Sequence, residues 1–191
     1  MSDYADRFTA LIDANVLACA TRRNIILSLA EAGFFRPRWS DRIMDETAGA
    51  IAKITKGGAD TIKQRSAMER AFPEACVTGY AGLEAGLELP DPDDRHVLAA
   101  AITTSAQVIV TENLKDFPSE ALAPFDIDAI SADEFISDAI ELDPLAAVVA
   151  LRRMRERFKN PDMDAEALLQ RIKARKLFQT AEILHQFVEL L

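Results

Sequence analysis

The chain has 191 residues, of which 49% are hydrophobic and 28% are charged, and its formal net charge is −9 at pH 7. These values exclude a disordered chain and fit one globular domain, or one domain with an appendage. The acidic balance argues against a broad basic face that grips nucleic acid by phosphate neutralisation alone. Nucleic acid is still allowed as a substrate if metal ions supply positive charge locally. The two cysteines form neither a zinc-ligand spacing nor a disulfide framework.

The sequence also lacks targeting and membrane-spanning patterns. Its start, MSDYADRF, carries two acids and no basic region of the kind that opens a secretory signal. No apolar run approaches the roughly 20 residues that a membrane helix needs. We therefore expect a soluble cytoplasmic protein without a membrane contact.

Strand-like and helical patterns alternate along most of the chain. FTALIDANVL (8–17) begins as a buried strand, and helices are predicted at 21–33, at 41–56 after the cap Ser40, and at about 60–72. The extended stretch FRPRWS separates the first two helices, while 74–90 has no assignment. RHVLAAAITTSA reads as a helix, QVIVT (107–111) and DIDAI (126–130) as strands, and SADEFISDAIEL as a helix with a capping box. This alternation predicts an α/β fold with a parallel sheet flanked by helices.

The character of the chain changes near residue 143. Three helical segments follow without a strand between them, and residues 140–191 hold 9 basic and 8 acidic side chains, against 13 and 23 before them. We predict an α/β domain at 1–138 and an all-helical C-terminal extension at 139–191. The extension should dock through apolar positions: Leu145, Val148, Val149, Leu168, Leu169 and Ile172.

An acidic run, LPDPDDRHVLAAAI (89–102), places three aspartates before an apolar helix. Helix capping explains one of them, because Asp is favoured where free N–H groups need an acceptor. We assign the cap to Asp93 and expect Asp94, in the first turn, to lie beside the end of the sheet. Asp91 precedes a proline in extended backbone and can reach the same pocket.

Asp13 follows a buried position at the carboxyl end of the first predicted strand. Ligand crevices form at that edge of open α/β sheets. The alternative is a loop aspartate that makes a turn with Asn15. Asp116 follows the strand QVIVT in the loop TENLKDF, where its position alone is a weak signal.

Helical phase singles out Glu46. It falls on the edge of an apolar stripe, whereas Asp41 and Asp45 fall on the water-facing side of the same helix. The stripe consists of Ile43, Thr47, Ala50 and Ile54. A half-buried glutamate needs a partner; the alternative is a side chain that extends into solvent.

Placement and phase thus favour four acids at one rim: Asp13, Glu46, Asp94 and Asp116. Such a cluster is costly if it stays unpaired. Oxygen ligands without nearby histidine or cysteine select Mg²⁺ or Mn²⁺. We read His96 as a polar residue at a helix start rather than as a ligand.

Four motifs in this order, LIDANVL, RWSDRIMDE, LPDPDDRHVLAAAI and VIVTENLKDFP, resemble the PIN-domain nucleases, specifically the VapC-type ribonuclease toxins of bacterial toxin–antitoxin pairs. The resemblance covers roughly residues 8–135 and implies a PIN-like nuclease domain that hydrolyses RNA with Mg²⁺ or Mn²⁺. The same four acids would be catalytic and hold the metal. Many PIN domains carry an aspartate where this chain has Asn113, which makes Asp116 the least secure member.

The resemblance has further implications for the surroundings of this cluster. Asn15, Thr111 and Asn113 would hold the carboxylates by hydrogen bonds, and Asp91 would assist. An RNA substrate, a cognate antitoxin protein and a homodimer are the implied partners. Basic residues outside the cluster would grip RNA, although each also fits a solvated helix face: Arg22, Arg23, Arg36, Arg38, Arg152 and Arg155.

Three alternatives stay open. A phosphatase with Asp13 as nucleophile would want a second aspartate two residues on, where Asn15 stands. A PIN fold that binds without catalysis is a second alternative, and a nuclease that cleaves DNA instead of RNA is a third.

Overall fold

A computed structural model describes residues 8–159 and 162–191. Residues 1–7, on which the expected lack of a secretory signal depends, lie outside the described ranges. One parallel sheet of five strands has the order β3-β2-β1-β4-β5. The strands are β1 (Thr9–Ile12), β2 (Arg36–Ser40), β3 (Cys76–Val77), β4 (Val108–Val110) and β5 (Asp128–Ile130). The predicted parallel α/β fold is confirmed.

Helices connect and flank the strands. They are α1 (Ala14–Leu17), α2 (Ala20–Glu31), α3 (Asp41–Thr55), α4 (Thr61–Ala71), α5 (Ala81–Glu84), α6 (Arg95–Thr103), α7 (Ser119–Leu122), α8 (Ala132–Leu142), α9 (Pro144–Glu156), α10 (Ala165–Ala174) and α11 (Phe178–His185). Short 3-10 turns lie at Pro92–Asp94, Leu114–Asp116 and Ala123–Phe125. The unassigned stretch 74–90 contains β3 and α5. Across the two described ranges, no helix combines the length and the apolar character that a bilayer crossing requires.

The central strands determine where a site can form. β1 and β4 are neighbours and are buried along their whole length, as expected for a parallel sheet covered on both faces. α6 lies against them with a buried run of small and branched side chains, Val97 to Ala101. Asp13 and Thr111, which follow these two strands directly, therefore meet at the same edge of the sheet.

Helix α3 follows its prediction except at its end. Ser40 accepts a hydrogen bond from the backbone N–H of Ile43 at 3.2 Å and caps the helix as predicted. The buried side chains are Ile43, Met44, Thr47 and Ile51. Ile54 is 70% exposed, so its place in the predicted stripe was wrong. It has the phase of Thr47 but lies in the last turn, where none of the described residues covers it.

The C-terminal helices pack on the α/β part, with α9 against α2 and α11 against α8. Of the six predicted docking positions, Val148, Leu168, Leu169 and Ile172 are buried. Leu145 and Val149 are exposed, which corrects the prediction for these two: α9 buries a different stripe, which includes Leu151 and Met154. The Asp133 carboxylate on α8 accepts the backbone N–H groups of Gln179 and Thr180 and so fixes the start of α11. The boundary between 138 and 139 stays a prediction.

Candidate active site

Three carboxylates form a compact group at the carboxyl edge of the sheet. One oxygen each of Asp91, Asp94 and Asp116 lies within 4.8 Å of the other two. Asp91 and Asp94 bracket the 3-10 turn that leads into α6, and Asp116 ends the turn that follows β4. The fold thus brings together Asp94 and Asp116, two of the four predicted acids. It adds Asp91, which was expected only to assist the four acids.

Asp13 is the most deeply buried acid of the site, with 5% of its surface exposed. Its carboxylate accepts hydrogen bonds from the Thr111 hydroxyl at 2.7 Å, the Asn15 amide at 2.5 Å and the Ala14 backbone N–H at 2.6 Å. Asp13 therefore makes the predicted alternative contact with Asn15 and also lies in the site. Burial raises the pKa of Asp13, and the three hydrogen bonds act in the opposite direction.

Thr111 connects the polar groups at the ends of β1 and β4. Its oxygen donates to Asp13 and accepts from the Asn15 amide and the Asn113 backbone N–H, both at 3.0 Å. The Asn113 amide in turn donates to the Asp116 carboxylate. These hydrogen bonds are the ones that the resemblance implied for the three residues, and their functional role stays a prediction.

Asp94 lies where the negative charges of the site converge. Burial and then the charges of its neighbours raise the pKa of Asp94 to about 6; these neighbours are Asp13, Asp91, Asp116 and Glu46. Its Oδ2 atom is buried and forms no hydrogen bond within residues 8–159 and 162–191. A buried carboxylate oxygen without a donor, among further carboxylates, fits the oxygen coordination of Mg²⁺ or Mn²⁺.

Glu46 reaches the rim of the site from α3. Its side chain is 41% exposed, as the edge of an amphipathic helix predicts. Its Oε1 atom lies 3.1 Å from Nε2 of His96 and 3.3 Å from Nε of Arg42. Burial raises the pKa of Glu46, whereas Arg42 acts to lower it.

His96 is only 1% exposed, and burial, assisted by Arg42, lowers its pKa to about 4. The neutral imidazole thus lies against the Glu46 carboxylate. His96 is therefore the buried partner of a site carboxylate, which sequence reasoning missed. Arg42 was missed as well, although its spacing of four residues from Glu46 is a recognisable ion-pair signal.

The cap of the acidic run is Asp91, not Asp93. Asp91 Oδ1 accepts the backbone N–H of Asp93 at 2.9 Å, whereas Asp93 is exposed. Pro92 opens a 3-10 turn before α6, so the capping position moves towards the N-terminus. Asp94 makes no side-chain capping bond to α6, which leaves its carboxylate for the cluster.

Most of the arginines predicted to grip RNA have protein partners. Arg22 bonds to Glu112 and to the Arg175 carbonyl, Arg23 to the Leu17 carbonyl, Arg38 to the Glu74 carbonyl, Arg152 to Glu156, and Arg155 to the carbonyls of Met163 and Leu191. Arg36 is exposed. RNA contact by these six residues stays a prediction, and the partners of Arg22, Arg23 and Arg155 favour a structural role for those three.

We expect Thr111→Val to destabilise the protein by about 1–3 kcal/mol, because it removes a buried hydroxyl that joins three hydrogen bonds and leaves their partners unsatisfied. Urea unfolding with circular dichroism measures this change. Thr103→Val is the control: that hydroxyl bonds only to the Ala99 carbonyl within α6. Equal effects of the two substitutions would contradict a central role for Thr111.

Comparison with known proteins agrees with this geometry. The PIN domain family profile matches residues 9–115, more than half of the chain, and the chain belongs to that family. A second profile, the VapC50 C-terminal domain, matches residues 132–186. The membership inferred from the four motifs, with a helical C-terminal extension, is confirmed.

One curated relative is the Mycobacterium tuberculosis (strain ATCC 25618 / H37Rv) protein named "Putative ribonuclease VapC50". It is 39% identical over 94 residues, which cover 44% of this chain and 56% of that protein. The match therefore spans little more than half of the relative's length. No solved structure matches the chain.

Proposed function

We propose that this protein is a metal-dependent endoribonuclease that hydrolyses RNA phosphodiester bonds. The observation that carries the proposal is the carboxylate group around Asp94: its buried Oδ2 atom has no donor among the residues that the structure describes, and carboxylate oxygens of Asp91 and Asp116 lie within 4.8 Å. A cation balances such a group better than any protein contact there. PIN-domain membership and the ribonuclease name of the relative support RNA as the substrate.

In this proposal Asp13 and Asp94 hold Mg²⁺ or Mn²⁺ directly, while Glu46 and Asp116 bind through water or orient the attacking water. The ion, when bound, activates water and neutralises charge on the phosphate oxygens. Asn15 and Thr111 keep Asp13 in place. Asn113 does the same for Asp116, and Asp91 adds a further oxygen ligand at the same point.

Glu46 is suited to handle the proton of the attacking water. It is the most exposed of the four predicted acids, so water from the solvent reaches it. Its raised pKa makes it a better proton acceptor than an ordinary glutamate. Arg42 donates a hydrogen bond to one of its oxygens and His96 lies beside the same oxygen, so its second oxygen has no contact with these two residues.

We further propose that the protein is a cytoplasmic toxin of a type II toxin–antitoxin system. Its proposed partner is a cognate antitoxin protein, and its proposed assembly is a homodimer. The VapC-type family assignment supports this biological role. Expression of the wild-type chain should inhibit growth of the producing host, whereas expression of Asp13→Asn should not. An absence of growth inhibition in the producing host would contradict the toxin assignment.

The direct test of the enzymatic proposal is incubation of the purified protein with total RNA, with Mn²⁺, with Mg²⁺ and with EDTA. We expect metal-dependent loss of one RNA class and no loss with EDTA. Single-stranded DNA in parallel separates RNA from DNA cleavage. Cleavage that persists in EDTA would contradict the proposal.

His96→Leu should lower cleavage by about 10–100-fold, because the Glu46 carboxylate loses the buried polar neighbour that orients it. His96→Gln keeps an N–H at the same reach and should recover much of the rate. Single-turnover kinetics on one RNA measures both variants. Equal rates for the Leu and Gln variants would show that this polar contact has no role.

A further inference from the structure

A group of exposed positive charges lies where α10 ends and the chain turns towards α11. Lys173, Arg175 and Lys176 are exposed there, and we call these three residues the basic corner. Over residues 8–159 and 162–191, none of them forms an ion pair with a carboxylate. Their charges are therefore available to a polyanion.

Arg22 joins the basic corner to the carboxylate site. One of its terminal nitrogens, Nη2, donates to the Arg175 carbonyl at 3.0 Å and lies 2.8 Å from the Glu112 carboxylate. Glu112 directly follows Thr111, the residue that donates to Asp13. One guanidinium thus contacts both the rim of the site and the backbone of the corner.

A second contact places α10 independently of Arg22. The Arg171 guanidinium lies 5.6 Å from the centre of the Phe158 ring, and Arg171 lines a small cavity together with Ala20 and Thr21. Those two residues form the first turn of α2, and α1, which starts next to Asp13, lies immediately before it. The end of α10 therefore lies close to the first turn of α2, the helix that carries Arg22.

The charge distribution of the chain indicates which kind of ligand the basic corner binds. Residues 1–139 carry 13 basic and 23 acidic side chains, so the surface around the site repels phosphates that a metal ion does not reach. Affinity for RNA comes largely from cationic side chains along its backbone. Arg22 itself is bound to Glu112 and to the Arg175 carbonyl. The three exposed residues of the basic corner therefore supply these charges.

We propose that the basic corner binds the phosphate backbone of the single-stranded RNA whose cleavage site lies at the carboxylates. This inference rests on the proposed ribonuclease function and adds the surface that holds the substrate. It gives the C-terminal helices a function in substrate binding.

The test measures RNA binding without cleavage. A short labelled single-stranded RNA is titrated with Asp13→Asn protein, with and without the changes Lys173→Glu, Arg175→Glu and Lys176→Glu, by fluorescence anisotropy. We expect at least about tenfold weaker binding, and a salt slope that falls by about 0.7 for each phosphate that the variant no longer neutralises. The matched control reverses Lys53, Lys56 and Lys63, which are exposed on or beside α3 and α4, and therefore changes the net charge equally.

An equal loss of affinity in both triple variants would show an effect of net charge alone and would overturn the proposal, as would no loss in either. Weaker antitoxin binding with unchanged RNA binding would also overturn it and would place a protein on the corner. The neutral variants Lys173→Gln, Arg175→Gln and Lys176→Gln, with melting temperatures as a folding check, repeat the test if reversal prevents folding. Metal-dependent cleavage by the wild-type chain is measured separately, so failure of the corner and failure of the enzyme proposal are distinguishable.

Discussion

Asp13→Asn is expected to lower RNA cleavage by about a thousandfold, because a lost metal ligand removes several kcal/mol of transition-state stabilisation. The protein should stay folded. Asparagine keeps an oxygen for the Ala14 N–H but turns its amide N–H₂ towards the donors Asn15 and Thr111, so the fold should persist with a lower melting temperature. Initial rates on one RNA at saturating Mn²⁺, with circular dichroism of the same samples, measure both effects.

The matched control for this prediction is Asp45→Asn. Asp45 is one residue from Glu46 but faces solvent and pairs with Arg65 at 2.7 Å. We expect its cleavage rate to stay within about twofold of wild type, because surface ion pairs contribute little. A fully active Asp13→Asn protein would remove Asp13 from the site.

Asp94→Asn is expected to have opposite effects on activity and stability. Cleavage and Mn²⁺ binding should be lost. The metal-free protein, in contrast, should become more stable by about 1–2 kcal/mol near pH 8, a value that allows for solvent screening of the partly exposed Asp94 carboxylate. The gain arises because the neutral amide avoids the cost of burying a charge and no longer repels the neighbouring carboxylates. Thermal melting in EDTA measures the gain in stability.

The pH dependence of this gain follows from the raised pKa. The folded protein binds the Asp94 proton more tightly than the unfolded chain, since its pKa of about 6 lies above the ordinary 3.8. The destabilisation by ionised Asp94 is therefore complete above about pH 6 and is relieved as the pH falls towards 4. The difference between Asp94→Asn and wild type should accordingly be larger near pH 8 than near pH 5.

Asp138→Asn, a change at an exposed acid on α8, controls for the loss of one charge. It should not show the same gain near pH 8. Addition of Mn²⁺ should raise the melting temperature of wild type and leave that of Asp94→Asn unchanged, because a ligand stabilises only the state that binds it. A destabilised metal-free Asp94→Asn protein would contradict the account of charge repulsion.

The sequence predicted the features that depend on local pattern. A buried run followed by a polar residue locates the ends of β1 and β4, and parallel strands place those ends at one edge, which is why Asp13 and Thr111 meet. Helical phase separated Glu46 from Asp45 correctly. It failed for Ile54, because phase predicts direction but not whether another element covers the last turn.

The features that were missed depend on contacts between distant segments. His96 lies on a helix that is buried nearly all round, so its pattern does not reveal Glu46, 50 positions earlier, as its partner. Arg23, Arg38 and Arg155 were assigned to RNA because their acceptors are backbone carbonyls, and a carbonyl has no sequence signature. Asp91 replaced Asp93 as the cap because a 3-10 turn precedes α6.

A crystal structure of the protein with Mn²⁺, with the ion located by its anomalous scattering, tests most directly whether these carboxylates converge on a metal. We predict an ion with carboxylate oxygens of Asp94 and at least one of Asp13, Asp91 and Asp116 at about 2.0–2.3 Å. An ion bound elsewhere, or a site that stays empty at Mn²⁺ concentrations that support cleavage, would contradict it.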